Sequence, residues 1–141
     1  MGKLRVLVVD DEKGTREGLK ALLEREGHEV RTAGDAAGAL RWIKQVPLDC
    51  LLIDLDLSRD PELGINGLDV IVLLRIHQPT AKAILMSASA DPALTRLAQE
   101  RGAVGRLEKP FDLAVLTRLL HSLFPNEEGR TPYPSILCPS S

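Results

Sequence analysis

The sequence predicts an α/β domain: five β-α units folded into one doubly wound (βα)5 parallel sheet. Three observations carry this. Short apolar runs alternate strictly with helix-patterned stretches, an order that calls for crossover connections and a parallel sheet with helices on both faces. Cys50-Leu51-Leu52-Ile53 is apolar at consecutive positions and runs straight into Asp54, as a strand buried on both faces would. Hydrophobic residues make up 44% of the chain but aromatics only 3%, so the core must be aliphatic.

Leu4 to Val9 reads as the first strand and ends in Asp10-Asp11. A helix from about Lys13 to Arg25 follows, with Leu19, Leu22 and Leu23 on one face, and Gly27 stops it. Glu29 to Ala33 forms a short strand with Val30 and Ala33 inward and Arg31 outward. Asp35 is placed to cap a helix from Ala36 to about Gln45 that carries Leu40 and Ile43, with Trp42 as partial core. Pro47 breaks it, and the Asp54 strand begins. A polar loop, Ser58 to Asn66, separates that strand from an apolar helix opened by Gly67 and reaching about Ile76. Lys82 to Met86 is the fourth strand, closed by Ser87-Ala88-Ser89. Asp91-Pro92 is an N-cap followed by proline at the first helical position, and that helix ends at Gly102. Val104 to Glu108 is the fifth strand, and Leu113, Leu116, Leu119, Leu120 and Leu123 stripe the last helix.

At 141 residues the chain has the length of one domain, residues 1–124. Residues 125–141, with four prolines and little periodicity, read as a disordered tail. A net charge of −2 argues against direct nucleic-acid or membrane-surface binding. No apolar run approaches the ~20 residues of a membrane span, and the N-terminus lacks a secretion signal. Cys50 lies in the buried strand and Cys138 in the tail, so no disulfide is expected, and the cytoplasm is the natural compartment. His28, His77 and His121 have no metal-ligand spacing and read as surface or helix-end residues. Arg16, Arg25 and Arg31 read as solvated.

Polar residues recur at the strand ends: Asp10 and Asp11, Asp54, Ser87 and Lys109. In a parallel sheet these ends share one edge, where ligands of open α/β sheets bind. An Asp in such a place is often only a turn former, but turn chemistry does not require four coincident ends. Carboxylates brought together repel and raise one another's pKa. A hard divalent cation such as Mg²⁺ relieves that cost. With Lys109 as a cation, Ser87 as a hydroxyl donor and Asp54 as a nucleophile, the set suits a phosphoryl acceptor.

Asp10-Asp11, Asp54, Ser87-Ala88 and Lys109-Pro110-Phe111 resemble the receiver domain of two-component response regulators, over residues 3 to about 124. The resemblance implies a flavodoxin-like strand order 2-1-3-4-5. It implies Asp54 as phosphoacceptor, and Mg²⁺ held by Asp11, Asp54 and the backbone carbonyl of Asp56, with Asp10 assisting. Ser87 would bond the phosphoryl group, Lys109 would pair with it, and the Lys109-Pro110 bond would be cis. It further implies a sensor histidine kinase or phosphotransfer protein as donor and a downstream protein as target. A homodimer through the face of helix four, strand five and helix five is a further option. Such a chain is a phosphoacceptor with self-catalysed phosphotransfer and dephosphorylation rather than an enzyme.

The chain departs from the family pattern in three places. Ser58 and Glu62 stand where proline and glycine are usual, and Gly67 is the matching glycine, so the loop carries roughly five extra residues, whose mobility is expected to fall on phosphorylation. Arg106 replaces a strand-five aromatic that switches inward in the family. It is expected to act with Ser87 and Ala88 at the switch and partner face, staying outside or turning toward Glu108 or Asp91. No output domain follows, which implies a stand-alone regulator. Two alternatives remain at this point. Asp54-Leu55-Asp56-Leu57-Ser58 also resembles the nucleophile motif of haloacid-dehalogenase-type phosphohydrolases, although Asp10-Asp11 come in the wrong order for it. A receiver fold serving only as a non-phosphorylated binding module is the other.

Overall fold

The computed structural model describes residues 2–88 and 91–125. The proposed tail, apart from Pro125, and Ser89 therefore lie outside the described residues. Leu4–Pro110 form one compact unit and the segments on either side of it a second.

The first unit holds the whole sheet. Its strands are β1 (Arg5–Val9), β2 (Glu29–Ala33), β3 (Cys50–Asp54), β4 (Lys82–Ser87) and β5 (Ala103–Glu108), all parallel in the order β2-β1-β3-β4-β5. Four helices connect them: α1 (Lys13–Arg25), α2 (Ala36–Gln45), α3 (Gly67–His77) and α4 (Pro92–Arg101). β3 lies between β1 and β4 and is buried along its whole length, which is why its sequence is a continuous apolar run instead of an alternation. β2 and β5 are the sheet edges and are only partly buried.

Leu7 and Val9 of β1, Leu51 and Ile53 of β3 and Leu85 of β4 pack with Ala39 and Ile43 of α2, Ile71 and Leu74 of α3 and Ala98 of α4 in one aliphatic cluster. Val6, Val8 and Leu52, one residue out of phase, belong to the other face of the pleat and are equally buried. α1 packs along β1 and β2 and buries Leu19 and Leu23, which lie outside that cluster. The caps match their sequence signals. Asp35 and Asp91 each accept a backbone N–H of the helix they open. Asn66 and Asp69 form a reciprocal capping box at α3.

In the second unit α5 spans Leu113–Leu123, capped by Asp112 through the N–H of Val115, and Leu116 and Leu120 are its buried residues.

Three of the solvated or surface residues expected from sequence are not so. Arg31 is half-buried with its guanidinium 5.0 Å from the centre of the Trp42 ring, a cation–π contact across adjacent elements. Arg16 is also half-buried. His28 is buried, and its Nδ1 accepts the N–H of Leu4 at 3.0 Å. That bond ties the turn after α1 to the start of β1.

Candidate functional site

Parallel register sets the strand ends side by side: Val9 pairs with Ile53, Asp54 with Met86, and Ser87 with Glu108. The residues that follow or close these strands are brought together as the sequence predicts. One carboxylate oxygen from each of Asp10, Asp11 and Asp54 lies within 4.8 Å of the others. Asp10 and Asp54 are buried and Asp11 is exposed, so the cluster opens to solvent through Asp11.

Each buried carboxylate divides its oxygens between turn and site. Asp54 Oδ1 accepts the N–H of Asp56 at 2.9 Å, and Asp10 Oδ1 accepts that of Glu12 at 2.9 Å. These Asx turns are the plain structural role of an Asp after a strand. The second oxygens face Lys109, whose Nζ donates to Asp10 Oδ2 at 2.8 Å and lies 3.3 Å from Asp54 Oδ2. Lys109 is held in turn by its N–H to the carbonyl of Ser87 at 2.8 Å, and the Lys109-Pro110 bond is cis. Ser87 closes β4 and is 1% exposed; Ala88 beyond it is exposed.

Burial is the main cause that holds the Asp54 carboxyl above the usual carboxylate range. The Asp56 N–H and Lys109 oppose the rise, and Asp10 adds only a smaller part. The mutual repulsion expected from the sequence is thus present through Asp10 but smaller than the effect of desolvation. Burial alone would lower Lys109, but its bond to Asp10 and its attraction to Asp54 override this and raise it. One ammonium among three carboxylates leaves the site acidic, and oxygen-only donors open on one side suit a hard divalent cation. Asp10, Asp11 and Asp54 each offer one oxygen that could hold such an ion.

The loop after β3 is built around a residue the sequence did not single out. Asp60 is buried, and its Oδ2 accepts the N–H groups of Glu62 at 3.0 Å and Leu63 at 2.7 Å. Its own N–H donates to the carbonyl of Ile65 at 2.7 Å, and Arg59 bonds the carbonyl of Gly64. Gly67 then brings α3 in close. A Cβ there would lie 3.0 Å from the carbonyl oxygen of Asp54, so only glycine leaves the backbone carrying Asp54 undisturbed.

Arg106 is half-buried on β5, its Nη1 3.8 Å from Glu108 Oε1. Of the two expected outcomes, it takes the turn toward Glu108. Arg16, read from sequence as solvated, instead donates from Nη1 to the carbonyl of Asp10 at 2.9 Å.

The response regulator receiver domain family matches residues 6–121. The DNA-binding transcriptional regulator NtrC of Azospirillum brasilense is 36% identical over 129 residues, 89% of this chain and 26% of that protein. A second NtrC, of a Bradyrhizobium species, is 31% identical over 130 residues. The chain spans about a quarter of the length of these relatives. A Burkholderia pseudomallei response regulator structure, described with a phosphorylated aspartic acid, calcium ion and citrate, superposes with a TM-score of 0.74 at 29% identity, covering 82% of this chain and 65% of that one.

Proposed function

Since the chain belongs to the response regulator receiver domain family, we propose that Asp54 is its phosphoacceptor and that a histidine kinase or phosphotransfer protein is the donor. The observation that best supports this is Lys109 Nζ lying between Asp10 Oδ2 at 2.8 Å and Asp54 Oδ2 at 3.3 Å, beside Asp11. A carboxylate, a fixed ammonium and a site for a cation then surround one reacting atom.

In the proposed reaction an Asp54 carboxylate oxygen forms the new P–O bond as the P–N bond of a phosphohistidine breaks. The released imidazole nitrogen takes up a proton. Mg²⁺ held by Asp11, Asp54 and the carbonyl of Asp56 would supply charge for the phosphoryl oxygens when bound. Lys109 pairs with the transferred group, and Ser87 donates its hydroxyl to a phosphoryl oxygen. Asp10 keeps Lys109 at the strand edge. The phosphorylated chain is read through protein contacts, to which Arg106 and Ala88 contribute on the β4–β5 side.

The phosphohydrolase reading is set aside by the family, and the non-phosphorylated binding module is disfavoured by the complete acceptor set. The test is transfer of labelled phosphate from a phosphohistidine donor in Mg²⁺, followed by hydroxylamine. An acyl phosphate on Asp54 loses its label to hydroxylamine, and label is absent from Asp54→Asn. Hydroxylamine-stable label, or sustained release of inorganic phosphate from a phosphomonoester, would contradict the assignment.

A further inference from the structure

Arg16 stands at the start of α1, six residues after Asp10, and its guanidinium turns back onto the backbone of the acidic cluster. Its Nη1 donates to the main-chain oxygen of Asp10 at 2.9 Å, and only 19% of its side chain is exposed. With Glu12 N–H on Oδ1 and Lys109 on Oδ2, each of the three oxygens of Asp10 has a donor.

The main-chain bond bears on Asp11 more than on Asp10. The carbonyl oxygen of Asp10 shares one rigid peptide plane with the nitrogen and Cα of Asp11. A donor that fixes the oxygen therefore helps fix the Cα from which the exposed Asp11 carboxylate leaves the backbone.

The space for this grip comes from Gly34, in the connection between β2 and α2. A Cβ at that position would lie 3.0 Å from Arg16 Nη1 and 3.5 Å from its Cζ. Gly34 is not among the glycines with positive φ, so its backbone does not require glycine. The guanidinium is what a side chain there would displace.

We propose that Arg16, seated against Gly34, is a positioning residue that orients Asp11 for divalent-cation binding. The inference rests on the metal reading of the acidic cluster given above. It also has a sign opposite to the simplest electrostatic expectation. A cation beside a cation site weakens binding by repulsion, so removing a mere neighbouring charge would tighten Mg²⁺. Removing a positioning bond loosens it.

The test is Mg²⁺ affinity by calorimetric titration of the intact chain and of Arg16→Ala, Gly34→Ala, their double variant and Asp11→Ala, with circular dichroism confirming the fold. Arg16→Ala should weaken Mg²⁺ roughly tenfold, the low end for outer partners of metal ligands, and Gly34→Ala, whose Cβ shifts the guanidinium without removing it, should weaken it by a smaller factor. Gly34→Ala does so with the charge retained. The double variant should be no weaker than Arg16→Ala, because the nearest atoms a Cβ at position 34 meets are those of the Arg16 guanidinium. If Arg16→Ala fails to fold, Gly34→Ala, in which only the far end of a flexible side chain must move, carries the test alone. Unchanged or tighter binding in Gly34→Ala, or additive losses in the double variant, would overturn the proposal while Asp11→Ala still lost affinity. Failure of the unaltered chain to bind Mg²⁺, or full affinity in Asp11→Ala, would overturn the metal reading and this proposal with it.

Discussion

Lys109 Nζ donates to Asp10 Oδ2 across 2.8 Å, joining a fully buried carboxylate to a lysine whose side chain keeps 22% of its surface in water. The pair makes a charge at Asp10 tolerable in the interior, and removing one partner strands the other. Lys109→Met should therefore cost about 2 kcal/mol in urea unfolding, below the ~3–5 kcal/mol of a fully buried pair because Lys109 is partly solvated. Adding Asp10→Asn should recover part of that loss by removing the orphaned charge. A double variant no more stable than Lys109→Met would mean that the pair does not hold Asp10.

Asp56 meets Asp54 through its backbone N–H, while its own side chain belongs to an exposed residue. Asp56→Asn keeps the N–H and alters only the exposed side chain. Acceptance by Asp54 should persist, and the lifetime of the phosphoryl group should change at least about twofold if the carboxylate orients the hydrolytic water. An unaltered decay rate would show that the side chain points elsewhere.

His28 gives the fold a pH dependence separate from the site. Its Nδ1 accepts the N–H of Leu4, which a protonated Nδ1 cannot do, and burial holds its pKa below the ordinary value. The unfolded chain takes the proton more readily. The contribution is thus fully present above about pH 6.5 and is lost as pH falls from there toward the lower folded-state value. Melting temperature should drop as pH falls below about 6.5, and His28→Gln should shrink that drop. An equal drop in both proteins would remove His28 from the acid response.

Asp60 braces the loop beside the site by accepting two backbone N–H groups. Asp60→Ala leaves both donors without their acceptor, at a cost of about 1–2 kcal/mol to the local structure. Amide exchange at Glu62 and Leu63 should accelerate while Asp54 labelling stays near wild type. Exchange that does not change would place the order of the loop elsewhere.

Much of this molecule is legible in its sequence because the signals are local. Continuous apolar runs mark β3 and β4, and Asp35 and Asp91 cap the helices that follow them. The parallel order then gathers Asp10, Asp11, Asp54, Ser87 and Lys109 without further information. What is not legible depends on contacts that periodicity does not encode. Arg16 bonds a main-chain oxygen, Arg31 lies over a tryptophan of the next element, and His28 accepts from a strand distant in sequence. Asp60 looks like one more polar loop residue until the chain turns back around it. In each case a side chain of charged or polar type is retained by one specific partner, which a pattern of apolar spacing cannot show.

The central claim, that Asp54 accepts a phosphoryl group, is tested most directly by the intact mass of the chain after incubation with acetyl phosphate and Mg²⁺. The expected result is a single adduct of about 80 Da that EDTA suppresses and that Asp54→Asn lacks. An Asp54→Asn chain that labels to the same extent as the wild type would contradict it.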